Sequence, residues 1–162
     1  MKYRKFSDIG WKVSEVGLGC WQIGWCWGDV TDNSARKLLK KALDLGVNFF
    51  DTSDTYGDGR SERFLGELIK STSEKIFVTT KLGRRWRGTN YSKGFKENIE
   101  EFVDRSLINL GIDCIDLVQL HCPPTEICSK KEMYEMMDEI VKKGKIAYYG
   151  ISVYKLVDAM AA

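Results

Sequence analysis

This sequence has no large excess of one charge sign, no long apolar run and no leader-like pattern at its N-terminus. Its 162 residues include 25 basic and 23 acidic ones, so the net charge is only +2 and creates no strongly charged surface field. No apolar stretch is long enough to span a bilayer, and no charged-then-apolar leader stands at the N-terminus. With 43% hydrophobic and 30% charged residues, the composition is that of one globular domain. We therefore expect neither nucleic acid nor a membrane as a partner, and a cytoplasmic location.

Cysteine motifs are also missing, although the chain contains five cysteines. Their number is odd, and no two of them have the two-residue separation of a zinc or redox motif. We expect reduced thiols that pack as small apolar groups. Cys122, Cys128 and His121 could contribute to a metal site, but no further residue at ligand spacing lies near them. We therefore expect no metal site. The five are Cys20, Cys26, Cys114, Cys122 and Cys128.

Four short apolar runs each end in a polar residue. Runs this short, separated by helical patterns, are typical of buried parallel strands. Because the carboxyl ends of parallel strands meet at one edge of a sheet, we expect these polar side chains to lie close together. Tyr56 follows the first of these ends by five residues, in a turn-rich loop. The runs and their last residues are 47–51 with Asp51, 75–81 with Lys81, 115–121 with His121, and 146–152 with Ser152.

Strands and helices alternate along the chain with one unit every 30 to 40 residues, which is the pattern of a parallel α/β fold. Doubly wound nucleotide folds carry a G-x-G-x-x-G turn after the first strand, but no such turn follows Gly17 and Gly19. The alternative is a (β/α)8 barrel of the TIM type, whose sites lie at the strand ends. Since a full barrel takes about 250 residues, we predict an incomplete barrel. It would have about five βα units over residues 15–162, after a hairpin within residues 1–14.

Helix boundaries are predicted from cap and stop residues. The first helix is expected to start at a cap within residues 32–34, and the second at Ser61. A third helix is predicted over residues 95–110 and a further one over about residues 130–143, each followed by a glycine stop. The pair at residues 123–124 consists of prolines and forbids the continuation of a helix there.

Four polar residues can act together if their strands are neighbours, and we call them the chemical set: Asp51, Tyr56, Lys81 and His121. A buried carboxylate requires a cation, and Lys81 is the candidate for Asp51. The same cation would ease proton release from Tyr56, and His121 would orient a carbonyl or relay a proton. Such a set suits protonation of an oxygen while a hydride arrives at carbon. The alternative is an Asp–Lys ion pair in the core, with the tyrosine and the histidine as packing residues.

Tryptophans are concentrated in two loops that follow predicted strands. Trp21, Trp25 and Trp27 lie within seven residues of one another, and Trp86 lies in the other loop. Because loops at strand ends carry function, we interpret Trp21, Trp25 and Trp86 as walls of an apolar substrate pocket. A satellite packing cluster is the alternative. The basic segment over residues 84–87 is either a phosphate site or a solvated loop.

Ordered motifs along the whole chain resemble those of the aldo/keto reductase family. Their order and spacing make the resemblance specific, and they include all four residues of the chemical set. The motifs are Val16-Gly17-Leu18-Gly19-Cys20-Trp21, the run from Gly46 to Gly57 with Ser61-Glu62, Val78-Thr79-Thr80-Lys81, Arg105-Ser106-Leu107, the run from Asp116 to His121, and Gly150-Ile151-Ser152.

The resemblance implies reduction of aldehydes or ketones to alcohols by hydride transfer from NADPH, without a metal. It makes Tyr56 the general acid, Lys81 and Asp51 its tuning pair, and His121 the group that orients the carbonyl. By the same resemblance Asp51 and Ser152 contribute to the cofactor site, with Ser152 holding the nicotinamide carboxamide. Trp21 would line the substrate pocket.

Two features depart from the family pattern. Val153 stands where the family usually has asparagine, which removes one expected amide contact. The sixth to eighth units, where the family keeps most of its cofactor site, have no counterpart among these five. The sequence therefore also admits a truncated, non-catalytic reductase-like binding or regulatory protein. Five open strands further predict self-association of the chain through the barrel edges.

Overall fold

The computed structural model describes residues 1–24, 28–84 and 95–162. A hairpin opens the chain, as predicted: β1 (Tyr3–Phe6) pairs antiparallel with β2 (Trp11–Ser14). Two residues of the connecting turn, Ser7 and Gly10, have positive φ angles of 50° and 77°. Such angles reverse the chain within a few residues, which brings the two strands together.

A parallel sheet of five strands follows, and neighbours in sequence are neighbours in the sheet. This confirms the predicted parallel α/β class and the architecture of an incomplete barrel. The first strand is shorter than residues 15–20, the run that suggested it, whereas the last two coincide with their apolar runs. The strands are β3 (Leu18–Gly19), β4 (Phe49–Asp51), β5 (Phe77–Leu82), β6 (Ile115–His121) and β7 (Ile146–Ser152).

Helices separate these strands along the described chain. Within the described residues, no helix is both long and apolar enough to cross a membrane. A short 3-10 helix (Gln22–Gly24) follows β3, and a one-turn helix that the sequence did not predict begins directly after the two prolines. The α-helices are α1 (Asp32–Asp44), α2 (Arg60–Lys70), α3 (Phe95–Leu110), α4 (Thr125–Cys128), α5 (Lys131–Lys142) and α6 (Leu156–Ala161).

Both predicted N-terminal caps are wrong by a residue or two. Thr31 caps α1, since its side chain accepts a hydrogen bond from the Ser34 backbone N–H. Gly59 precedes α2 in the left-handed conformation with φ 79°, a backbone shape that glycine adopts without strain. Ser61 lies inside α2, where its hydroxyl instead donates to the backbone oxygen of Cys20 at 3.0 Å.

The two faces of the sheet have different surroundings. On the helical face, Thr80 of β5 donates to Glu62 of α2 at 2.7 Å. On the opposite face, Phe77 at the start of β5 stacks on Trp11 of the hairpin, with 4.8 Å between ring centroids. The hairpin therefore covers the amino ends of the strands, and the carboxyl ends remain for polar side chains. The helical face is the hydrophobic core, with fully buried Phe50, Val78, Leu82, Val118 and Leu120.

Candidate functional site

Asp51 and Lys81 meet at the carboxyl end of the sheet. The pairing of β4 with β5 sets Asp51 beside Thr79, so Lys81 lies two residues further along on the same face. The Lys81 ammonium forms a short salt bridge with the Asp51 carboxylate and donates to the backbone oxygen of Thr52 at 3.1 Å. The lysine side chain is only 8% exposed, whereas Asp51 is 37% exposed. The buried charge thus has the partner that its desolvation requires.

Tyr56 lies at the centre of the site, in the loop between β4 and α2. The Lys81 Nζ is 5.5 Å from the centre of its ring. The His121 ring stands edge-on to it with 6.0 Å between centroids, and the Trp21 ring is 6.5 Å away on a tilt. The four residues predicted as a chemical set therefore do come together, with Trp21 beside them.

The backbone of the loop that carries Tyr56 packs in close contact with the 3-10 helix. A Cβ added at Gly24 would come within 2.6 Å of the Gly57 backbone nitrogen, closer than real Cβ contacts. Arg60, at the start of α2, is 5% exposed and donates to the backbone oxygen of Ile23. It also donates to the Val30 oxygen at 2.9 Å and pairs with Asp32 at 2.6 Å. One buried side chain thus ties the segment after Trp21 to the tyrosine loop.

His121 ends β6 and is held at both ring nitrogens. Its Nδ1 lies 3.0 Å from the Ser53 hydroxyl, and its Nε2 lies 3.3 Å from the Arg84 Nη1. Because a guanidinium nitrogen only donates, Nε2 accepts and the ring proton resides on Nδ1, where the Ser53 oxygen accepts it. Ser53 in turn donates to the Lys81 backbone oxygen at 3.1 Å. Ser53 therefore links the protonated Nδ1 of His121 to the backbone of β5, the strand that carries Lys81.

The charge state of His121 follows from its surroundings. Burial, and then the nearby charges of Arg84 and Lys81, lower the pKa of the imidazole to about 4. Burial penalises the charged ring, and two neighbouring cations penalise it further. His121 is consequently neutral at pH 7, so it acts at this site as a hydrogen-bonding group and not as a cation.

Ser152 stands next to His121 across the β6–β7 pairing. Cys122, directly after the histidine, adopts a positive φ of 54° and donates its N–H to the backbone oxygen of Ser152 at 2.8 Å. This contact fixes the ends of the two strands relative to each other. Trp21 is 43% exposed at the rim. The other two predicted pocket residues, Trp25 and Trp86, lie outside the described residues.

Three further residues support the site. The sequence assigned no site role to Glu62 or Ser53, and it considered Arg84 only within the basic segment over residues 84–87. Glu62 is fully buried and accepts from Thr80 at 2.7 Å and from Asn109 at 2.8 Å, which ties α2 to β5 and α3. Ser53 orients the histidine, and Arg84 contacts it. Ser53 lies two residues beyond Asp51, a spacing that could have indicated the same face. Nothing in the sequence indicates that Arg84 reaches His121.

Four described cysteines are free, and burial raises the pKa of the Cys20 thiol to about 12. A thiol with that pKa stays protonated and unreactive at neutral pH. Across the residues the structure describes, no group of three or more His, Cys, Asp or Glu side chains is arranged to hold a metal ion. The free cysteines are Cys20, Cys114, Cys122 and Cys128.

Comparison with known proteins places this arrangement in a family. The model of the Aldo/keto reductase family matches residues 15–162. The chain is 38% identical over 155 residues to the uncharacterized oxidoreductase YqkF of Bacillus subtilis, covering 94% of this chain and 49% of that protein. It is 35% identical over 145 residues to an aldo-keto reductase of Schizosaccharomyces pombe named yakc and named for NADP(+), covering 86% of this chain and 42% of that protein.

Solved structures agree with the sequence comparison. The holo form of the aldo-keto reductase AKR11C1 from Bacillus halodurans superimposes with a TM-score of 0.79 at 32% identity, covering 96% of this chain and 51% of that one. The chain spans about half the length of the curated relatives it matches. The resemblance seen in the motifs is confirmed by the family match and by the barrel strands that carry them. The chain belongs to the aldo/keto reductase family, whose members matched here are oxidoreductases by name.

Proposed function

We propose that the chain carries the catalytic residues of a reductase that converts an aldehyde or ketone to an alcohol with NADPH. The observation that carries the proposal is the buried Lys81 ammonium, which contacts the Asp51 carboxylate and lies 5.5 Å from the centre of the Tyr56 ring. A cation held at such a position stabilises negative charge on the phenol oxygen when the proton leaves it. Tyr56 is then the general acid, and Asp51 keeps Lys81 charged and in place.

The carbonyl is positioned from the His121 side of Tyr56. His121 is neutral, and its Nε2 accepts from Arg84, so the N–H donors on this side belong to the guanidinium. In this proposal the histidine orients the carbonyl by fixing the guanidinium beside it. The carbonyl oxygen accepts hydrogen bonds from Tyr56 and from Arg84, which polarises the carbonyl bond and aligns the oxygen for protonation.

The residues present fit the nicotinamide end of the cofactor. Ser152 supplies a hydroxyl at the strand end next to His121, and Asp51, whose side chain is 37% exposed, ends β4 at the same edge of the sheet. A hydroxyl and a carboxylate are suitable partners for a carboxamide and a ribose. When bound, NADPH supplies the hydride for the carbonyl carbon. The S. pombe relative named for NADP(+) supports this choice of cofactor.

Titration with NADPH, followed by the quenching of tryptophan fluorescence, tests the proposed function. We expect saturable binding in the micromolar range, which corresponds to about 8 kcal/mol, and oxidation of NADPH that depends on added aldehyde. Ser152→Ala should weaken binding about three- to tenfold through the loss of one hydrogen bond. Ser129→Ala is the matched control, because Ser129 is exposed and its hydroxyl donates to the backbone oxygen of Glu126 on α4.

Two results would contradict the proposal. One is the absence of NADPH binding up to millimolar concentration. The other is binding without any turnover of a panel of aldehydes and ketones, which would favour the non-catalytic binding or regulatory protein.

We also propose that two copies of this 162-residue chain associate through β7. Among the described strands β7 pairs only with β6, and its seven residues leave a long free edge. Tyr148 of β7 is 39% exposed, and the helix that follows exposes Leu156, Val157 and Met160 by 57 to 78%. Exposed apolar groups beside a free strand edge favour pairing with another strand. A twofold axis would pair the two edges antiparallel.

Size-exclusion chromatography with light scattering is expected to report a dimer of the 162-residue chain. Tyr148→Lys should shift the population towards monomer, because it introduces like charges on both sides of the twofold axis. Tyr3→Lys is the matched control, since Tyr3 is similarly exposed (41%) and lies on β1, which is not a strand of the five-stranded sheet. A stable monomeric wild type would contradict the proposal.

A further inference from the structure

Arg84 differs from the paired arginines of the described structure in having no carboxylate among its described partners. It follows Gly83, whose φ of 100° turns the chain at the end of β5. Its Nη1 contacts the His121 Nε2 and the Tyr154 hydroxyl, each at 3.3 Å. Both are neutral acceptors. The arginines that do form a salt bridge are Arg4 with Glu15, Arg36 with Glu67, Arg60 with Asp32, and Arg105 with Asp58.

The position of this cation relates it to the reacting group. His121, which Arg84 contacts, is also the ring that stands edge-on to Tyr56 at 6.0 Å. An anion bound to Arg84 would therefore lie on the His121 side of the Tyr56 ring. Arg84 uses only one of its terminal nitrogens on the described neighbours, so other N–H groups of the guanidinium fork are available to a ligand.

Building on the proposed function, we propose that Arg84 binds a substrate carboxylate, and that the substrates are 2-oxo acids. In a 2-oxo acid a carboxylate oxygen and the keto oxygen can lie on the same side of the molecule. The planar fork of an arginine matches two such oxygens with parallel hydrogen bonds. Tyr154 is a positioning residue, because its hydroxyl accepts a hydrogen bond from the guanidinium.

The reduction of a 2-oxo acid transfers the same hydride and proton as the carbonyl reduction proposed above. The keto carbon gains the hydride, the keto oxygen gains the Tyr56 proton, and the carbon–oxygen double bond becomes a single bond. The product is a 2-hydroxy acid, and NADPH is oxidised to NADP+. The carboxylate itself undergoes no chemistry, and its charge is neutralised by Arg84 throughout.

The single histidine of the chain gives a direct test that does not require turnover. The imidazole resonance of His121 is recorded by NMR at pH 8, where the ring is neutral, during titration with pyruvate or with pyruvamide. These two compounds have nearly the same shape and differ in charge. We expect saturable shifts with pyruvate at an affinity about tenfold or more above that for pyruvamide, as for a charge-assisted hydrogen-bonded pair.

Two variants and one further ligand decide the outcome. Arg84→Gln should remove the preference for pyruvate, whereas Arg36→Gln should keep it, because Arg36 pairs with Glu67 on the surface. The proposal is overturned by no shift with pyruvate, by equal affinities in the wild type, or by a preference that survives Arg84→Gln. It is also overturned if inorganic phosphate binds as tightly as pyruvate, since Arg84 would then be a phosphate site. A pyruvate preference without NADPH turnover contradicts the proposed function alone.

Discussion

Tyr56→Phe is expected to lower kcat for carbonyl reduction by about 10²- to 10⁴-fold, the usual contribution of general acid catalysis. The substitution removes the transferable proton and keeps the ring that packs between Lys81 and His121. NADPH affinity should change little, because the ring still fills its place. The measurement is the rate of NADPH oxidation at saturating aldehyde, with binding followed separately by fluorescence.

Tyr149→Phe is the matched control for this substitution. Its hydroxyl donates to Asp138 at 2.7 Å on the helical face of the sheet, away from the site. Loss of that hydrogen bond should cost about 1 kcal/mol of stability and leave kcat unchanged. If Tyr56→Phe turns over as fast as the wild type, the proton comes from another group and the assignment of Tyr56 is wrong.

Arg60→Met is expected to lower the free energy of unfolding by about 2–4 kcal/mol, since buried acceptors left without a donor cost about 1–3 kcal/mol each. The backbone oxygens of Ile23 and Val30 both accept from this guanidinium, which is 5% exposed. Methionine fills much of the space but donates no hydrogen bond. Urea denaturation, followed by tryptophan fluorescence, measures the change.

Arg63→Met on the same helix provides the comparison. Arg63 is exposed and donates to the Asp58 backbone oxygen at 3.1 Å. A substitution at such a surface position should change stability by no more than about 0.5 kcal/mol. Equal effects of the two substitutions would show that Arg60 does not anchor the segment after Trp21.

Local sequence patterns were sufficient to predict the sheet and the proximity of the polar residues at the strand ends. Strands β6 and β7 have the limits of their apolar runs, because a helix with a glycine stop precedes each of them and marks where an extended segment begins. The residues Asp51, Lys81 and His121 end or nearly end their strands. In a parallel sheet such positions share one edge, so their proximity follows from strand order alone.

Features that depend on distant parts of the chain were not predictable in this way. A run with Ser61 and Glu62 looks like the start of a helix with a serine cap, yet both side chains are fully buried. Ser61 bonds to Cys20, and Glu62 bonds to Thr80 and Asn109, all far away in sequence. Tertiary partners therefore override the local preference of these residues for a solvent-facing helix end.

The sequence by itself determined the alternation of strands and helices, the family motifs and the polar residues at the strand ends, because these depend on local periodicity and spacing. Only the tertiary structure decided which partners each charged side chain has among the described residues. Lys81 found Asp51 through strand pairing, whereas Arg84 came to rest on the neutral His121 and Tyr154. The sequence gives the charge of each side chain, but the packing of separate segments determines which partner that side chain has. The proposed substrate class depends on this packing.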